Sequence, residues 1–139
     1  MKKVFYFIAI FIMASSLQLP DNEAKLKMIN KSKRFLTVKI MKGSERKSEL
    51  YSEATLSPKS THIFSFTETG KYYVKSMAVL TPGKGDSNDT IYMMGKPFQV
   101  IADPKKGYTQ MKMKFTIKES KKPTATGTIP ISRSKFLKN

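Results

Sequence analysis

The residue types that most often carry catalysis are sparse in this chain. Its one histidine, His62, is the only side chain whose ordinary pKa lies near neutrality. In "THIFSF" (61–66) it alternates with Phe64 and Phe66. That placement predicts a histidine at a sheet margin, satisfied by a hydrogen bond, and not a general base. Serines are plentiful, yet none stands in a Gly-x-Ser-x-Gly or similar setting. Glu45, Glu49 and Glu53 recur every four residues and would share a face if 44–54 were helical. Lysines surround them, so a solvated face accounts for them. With no cysteine and one histidine, zinc or copper would be left with carboxylates almost alone. Asp86, Asn88 and Asp89 in "GDSNDT" (85–90) offer oxygens to calcium. Pro97, however, stands where an EF-hand loop needs its twelfth-position glutamate, and the segment reads as a hairpin turn. "PGKGD" (82–86) lacks the Gly-Lys-Ser/Thr of a phosphate loop. The expectation is a protein with no enzymatic activity, no cofactor and no metal.

Lysine is the abundant chemistry. The chain carries 26 basic against 10 acidic residues, a net charge of +16, and such a field attracts polyanions. In "QMKMKFTIK" (110–118) Lys112, Lys114 and Lys118 alternate with Met111, Met113, Phe115 and Ile117. On a strand the two sets face opposite ways. Neighbouring lysines stand about 7 Å apart and repel by about 0.6 kcal/mol in water. Burying each apolar partner contributes about 1.5–3 kcal/mol. Packing therefore fixes the strand's orientation, and the lysines follow to the wet side. Lys112, Lys114 and Lys118, with Lys121 and Lys122 just beyond, are the candidate contacts to an anionic partner.

The elements that would position these residues are nearly all strands. Alternating or β-branched runs occur at 24–30, 35–42, 50–56, 61–66, 71–80, 90–94, 97–102 and 110–118. Gly, Pro and Asp punctuate them at 42–44, 57–59, 69–70, 82–86, 95–97 and 103–107. A helical period appears only weakly, over 44–54, and there is no internal repeat. Short strands at regular spacing predict an all-β fold of seven to eight strands, a sandwich or barrel.

Both ends lie outside that pattern. Lys2 and Lys3 precede the apolar run "VFYFIAIFIMA" (4–14), and small and polar residues follow. This is the layout of a secretory signal peptide over 1–16, with Ala14 and Ser16 suited to the cleavage positions. The rival reading is an uncleaved membrane anchor, but the uncharged stretch from Val4 to Pro20 falls slightly short of the roughly 20 residues that span a bilayer; with cleavage, no membrane span is expected to remain. Removal of 1–16 takes two lysines and lowers the charge from +16 to +14. The domain is expected over 17–119. Residues 120–139 carry five basic residues, two prolines and no further acid, and read as a flexible basic tail. "GTIPISR" (127–133) offers an edge strand within it. Asn30-Lys31-Ser32 and Asn88-Asp89-Thr90 match the N-glycosylation pattern.

One stretch carries a family likeness. Glu68-x-Gly70-x-Tyr72, after Leu56-x-Pro58 and Phe64-x-Phe66, resembles the corner of bacterial immunoglobulin-like and transthyretin-like β-sandwiches. Val74 stands where the immunoglobulin pattern has a cysteine. The resemblance covers about 15 residues and implies an Ig-like or related Greek-key sandwich. In it Gly70 and Tyr72 form a structural corner, with the Tyr72 hydroxyl half-buried and bonded to backbone. It carries no functional residues.

The expectation for function is a non-catalytic, exported binding or structural module of a bacterial envelope or surface, secreted or periplasmic. Its partner would be an envelope or surface protein, reached by strand addition, or an anionic polysaccharide. The alternative is a secreted cationic effector that binds membranes or nucleic acid nonspecifically. Tyr73 with Lys75, and Phe35 with Lys39, share strand faces in the manner of nucleic-acid readers, but thinly. Nucleic acid as a specific ligand is therefore not expected.

Overall fold

The computed structural model describes residues 23–80, 90–119, 124–125 and 127–139. The expected signal peptide, the Asp86–Asn88–Asp89 group, and Lys121 and Lys122 lie outside the described residues.

Among the described residues the chain is all-β apart from one short helix. Its strands are β1 (Ala24–Asn30), β2 (Phe35–Gly43), β3 (Ser48–Leu56), β4 (Thr61–Phe66) and β5 (Gly70–Val79). They continue as β6 (Ile91–Met94), β7 (Phe98–Val100), β8 (Ala102–Asp103), β9 (Gly107–Tyr108) and β10 (Gln110–Phe115). The last are β11 (Ile117–Lys118), β12 (Thr124–Ala125) and β13 (Ile129–Pro130), before helix α1 (Arg133–Leu137). Two sheets hold the architecture. The smaller runs β10-β1-β4 and the larger β13-β6-β5-β2-β3, with β7 also on β5. All pairings in the larger sheet are antiparallel. In the smaller, β1 pairs antiparallel with β4 but parallel with β10.

The two sheets enclose one core. Leu26, Met28, Phe64, Phe66 and Phe115 come from the smaller sheet. Leu36, Val38, Ile40, Tyr72, Val74 and Ala78 meet them from the larger. These are the alternate residues of their strands, as a period of two requires. Phe66 packs edge-on to Tyr72 with ring centres 4.8 Å apart and stacks on Tyr51 at 5.6 Å, contacts that add to simple burial. Met111 and Met113 are only half-buried, because β10 is an edge strand.

Local chemistry fixes the connections. Residues 44–54 are not helical: a turn at 44–47 joins β2 to β3, closed by Ser44 N to Lys47 O at 3.0 Å. Gly43 enters it at φ +119°, where a Cβ would lie 2.4 Å from the Lys47 carbonyl oxygen, so only glycine fits. The Gly95–Pro97 segment is not a turn between two independent strands. β6 and β7 both pair with β5, Gly95 N still donates to Val74 O at 2.9 Å, and the register shifts by one residue across the break. The two segments form one bulged strand along β5.

The largest departure from the sequence expectation is the C-terminal tail. Its described part, 127–139, folds back on the larger sheet. Ile129 and Pro130 pair with Met94 and Met93, with proline on the outermost strand as its missing donor requires. Ser132 then caps α1 by accepting from Lys135 N at 3.1 Å, and Phe136 is buried beneath the helix. Five residues cannot sustain a helix alone; tertiary contacts hold this one.

Candidate functional site

Parallel pairing of β10 with β1 assembles the principal basic surface. Lys112 stands beside Lys27, Gln110 beside Lys25, and Lys114 beside Ile29. Because the apolar residues of both strands turn inward, Lys25, Lys27, Lys112 and Lys114 share the outer face of the smaller sheet. Adjacent strands lie about 4.8 Å apart and alternate residues about 6.7 Å apart, so four ammonium stems rise from a small patch. Lys27, Lys112 and Lys114 are exposed and Lys25 is half-exposed. A shallow depression of about 320 Å³ runs between the rows, bordered by Ile63, an exposed apolar residue paired with Lys27. Like charges set opposite one another oppose pairing, and the inward packing of Leu26, Met28 and Phe115 overrides that cost.

Of the lysines singled out from sequence, the structure brings Lys112 and Lys114 together. Lys118 is exposed but belongs to a separate two-stranded ladder with Thr124 and Ala125, beyond the end of β1. Lys25 and Lys27 were missed, although "AKLKMIN" carries the same alternation as "QMKMKF". Nothing local said that these two strands are neighbours.

β10 also has an open edge: among the described residues it pairs with β1 alone. Lys25 N donates to Thr109 O and Lys31 N to Phe115 O. Since backbone groups alternate sides, the odd-numbered residues of β10 bond to β1. The N–H and C=O groups of Gln110, Lys112 and Lys114 point away from it. Beside this edge a cleft of about 320 Å³ opens between the sheets, lined by Met28, Val74, Met113 and Phe115, with Gly127 and Thr128 at its rim.

The second concentration of charge is covered. Lys39 and Lys75 are register partners on the outer face of the larger sheet, and both are buried, at 6% and 3% exposure. Neither has a carboxylate partner among the described residues. Lys39 Nζ donates to Phe136 O at 3.0 Å and Asn139 Oδ1 at 2.8 Å, and lies 4.7 Å from the Phe136 ring centre. Lys75 Nζ donates to Lys135 O at 2.9 Å and to Lys138 O. The end of α1 thus presents its orphan carbonyls, the negative pole of the helix, to two ammonium groups. Burial pushes Lys75 below the ordinary lysine pKa, and Lys39, Lys135 and Lys138 add repulsion. The face pairing Tyr73 with Lys75, and Phe35 with Lys39, is therefore not an open nucleic-acid platform. Its lysines are engaged by the tail.

Other singled-out residues have structural places. The Tyr72 hydroxyl donates to Glu68 O at 2.6 Å in a part-buried bond, while the residue as a whole is buried. Glu68 itself pairs with Lys42. His62 is exposed at the start of β4, edge-on to Phe64 at 4.7 Å. Asn30 is not a glycan acceptor in the folded chain. It is fully buried, and its amide nitrogen donates to Arg34 O at 2.8 Å and Ser57 O at 3.1 Å, while its Oδ1 accepts from Ser32. Buried Arg34 forks onto Glu119 through Nε and Nη2 at 3.1 and 3.0 Å, tying β1's exit to β11's.

Among the described residues no three His, Asp or Glu side chains stand close enough to hold a metal ion. Among them, too, no helix is long and apolar enough to cross a membrane. Compared with known proteins, the chain matches no family model, no curated protein and no solved structure.

Proposed function

We propose that this chain is a non-catalytic, exported binding module that holds an anionic polysaccharide of a bacterial envelope or surface against its smaller sheet. The observation that carries this reading is the double row of Lys25, Lys27, Lys112 and Lys114 created by β10 lying parallel to β1. An extended polyanion with charges every few ångströms matches such a row better than a compact ligand does. Export rests on the sequence of residues 1–16. An Ig-like or related Greek-key topology is supported by the path of β2 to β5: β4 crosses to pair with β1 and β5 returns to β2. The Tyr72 bond to Glu68 O resembles that of a tyrosine corner and supports the same reading.

The test compares two variants of equal charge. In one, Lys112 and Lys114 become glutamate; in the other, Lys105 and Lys106, exposed in the turn between β8 and β9, become glutamate. Binding to polygalacturonate is followed by calorimetry across a salt series. The reading expects the first variant to lose binding at least tenfold more than the second. Equal losses would mean attraction by net charge alone and would favour the secreted cationic effector.

A second reading has its own support: a protein partner adding a strand to β10. The outward backbone groups of Gln110, Lys112 and Lys114 offer the ladder, and the adjoining apolar cleft would take alternate side chains. Gln110→Pro removes an outward N–H, leaves the backbone bonds to β1 and takes away none of the four lysines. It would abolish this mode while leaving polysaccharide binding near wild type.

A further inference from the structure

The turn at 44–47 and the end of α1 wall a cavity of about 410 Å³ over β5, with Arg46, Tyr73, Lys75, Ser134, Lys135 and Lys138 in its lining. Its charge is one-sided. Glu45 answers Lys135, whose Nζ lies 3.2 Å away. Arg46, Lys75 and Lys138 have no carboxylate partner among the described residues. Lys75 has three N–H bonds, and two of them go to the carbonyls of Lys135 and Lys138. The third has no acceptor among the described residues, on a side chain that is 97% buried and forms part of the cavity wall. Asn139 also lines the cavity; its Oδ1 is taken by Lys39, which leaves its amide nitrogen as a donor.

Buried charge is ordinarily paired. Here two buried lysines stand side by side with carbonyl oxygens and one aromatic ring as partners, and three further cations line or border the space. We propose that this cavity binds a small molecule bearing a tetrahedral oxyanion, phosphoryl or sulfuryl, held by Lys75, Arg46 and Lys138. Donors approach from the sheet floor, from the 44–47 turn and from the helix end. Three directions suit a tetrahedral group better than a planar carboxylate. An Arg fork with point-charge lysines is the usual chemistry of phosphate recognition. The volume exceeds that of a bare ion, leaving room for a sugar-sized remainder beside the Tyr73 ring and Ser134 hydroxyl. Because the ligand would neutralise repulsion among Lys39, Lys75, Lys135 and Lys138, its binding also draws α1 onto the sheet. The site lies on the opposite sheet from the Lys25–Lys114 face, and its existence does not depend on that face having a partner.

Inorganic phosphate, inorganic sulfate and a hexose 6-phosphate are the probes, titrated at fixed ionic strength balanced with sodium chloride. Thermal midpoint and, for the phosphates, 31P line width are the readouts. The proposal expects saturable one-to-one binding of at least one probe and a midpoint that rises with its logarithm. A double Arg46→Ala, Lys138→Ala variant should bind at least tenfold more weakly; both residues are exposed, so the fold is kept. Lys75→Met should lose the response altogether. Lys112→Glu with Lys114→Glu should bind like the parent. A double Arg46/Lys138 variant that binds as tightly as the parent would overturn the proposal. So would a midpoint that follows ionic strength alone. Phosphate binding lost only in the Lys112/Lys114 variant would move the site to the other sheet and overturn it equally.

Discussion

Tyr72 shows how much one side chain can be asked to do. Its ring fills the core between Phe66 and Tyr51 while its hydroxyl closes the Glu68–Gly70 turn. Tyr72→Phe keeps the ring and strands the Glu68 carbonyl. The expected loss is about 1–2 kcal/mol in urea denaturation. Burial, with the neighbouring Tyr51 and Glu68, raises the Tyr72 pKa to about 12 from 10.0. Above pH 10 the unfolded chain releases this proton while the folded one keeps it. Stability from this group is therefore full below pH 10 and declines as pH rises through 12. Lys75 acts in the opposite sense: its folded pKa is lowered, so stability rises with pH between that value and 10.5. The difference between parent and Tyr72→Phe should isolate the tyrosine's alkaline loss; two parallel curves above pH 10 would refute its assignment. The backbone bond of the Tyr72 hydroxyl was legible from sequence because its partner, Glu68, stands four residues away. Asn30 was not. Its partners include the carbonyl of Ser57, and a tripeptide pattern cannot reveal that a distant turn has consumed the amide.

Among elements, strand positions were the most readable feature and strand neighbours the least. Period-two alternation located the ends of β1, β2, β4 and β5 within about a residue, since each strand must bury one face. It carried no information on which edges meet, and so the β1–β10 pairing and its lysine rows were invisible. The tail was misread for another reason. It holds few apolar residues, but Phe136 and the carbonyls of α1 meet two ammonium groups of the larger sheet, 97 residues earlier at Lys39 and 60 earlier at Lys75. A five-residue helix leaves no periodic trace. Phe136→Ala should detach this strap selectively. Phe-to-Ala losses of about 3 kcal/mol or more imply roughly hundredfold faster amide exchange at Phe136 and Lys138. Amides of β2 and β5 facing the core should be unaffected. Uniform acceleration across both sheets would instead make the tail integral to global stability.

For the whole molecule, composition conveyed the class and the field: a basic all-β chain with no cysteine to staple it. It did not convey how the charge is divided. One cluster is open on the smaller sheet, another is sealed under α1, and Arg34 is buried against Glu119. The position of β1 has a consequence in time. Among the described residues β1 pairs with β4 and with β10, the latter more than 80 residues downstream, whereas β2 and β3 are joined by a four-residue turn. Closing long loops costs entropy before any contact repays it. The hairpin and β5 therefore nucleate, and the three-stranded layer zips up last. Core truncations such as Val38→Ala should slow refolding, whereas Met113→Ala should chiefly hasten unfolding. A chain emerging amino-end first would hold β1 without one of its two neighbours until residues 110–115 had appeared, so the smaller layer would stay incomplete long after the larger had begun to close.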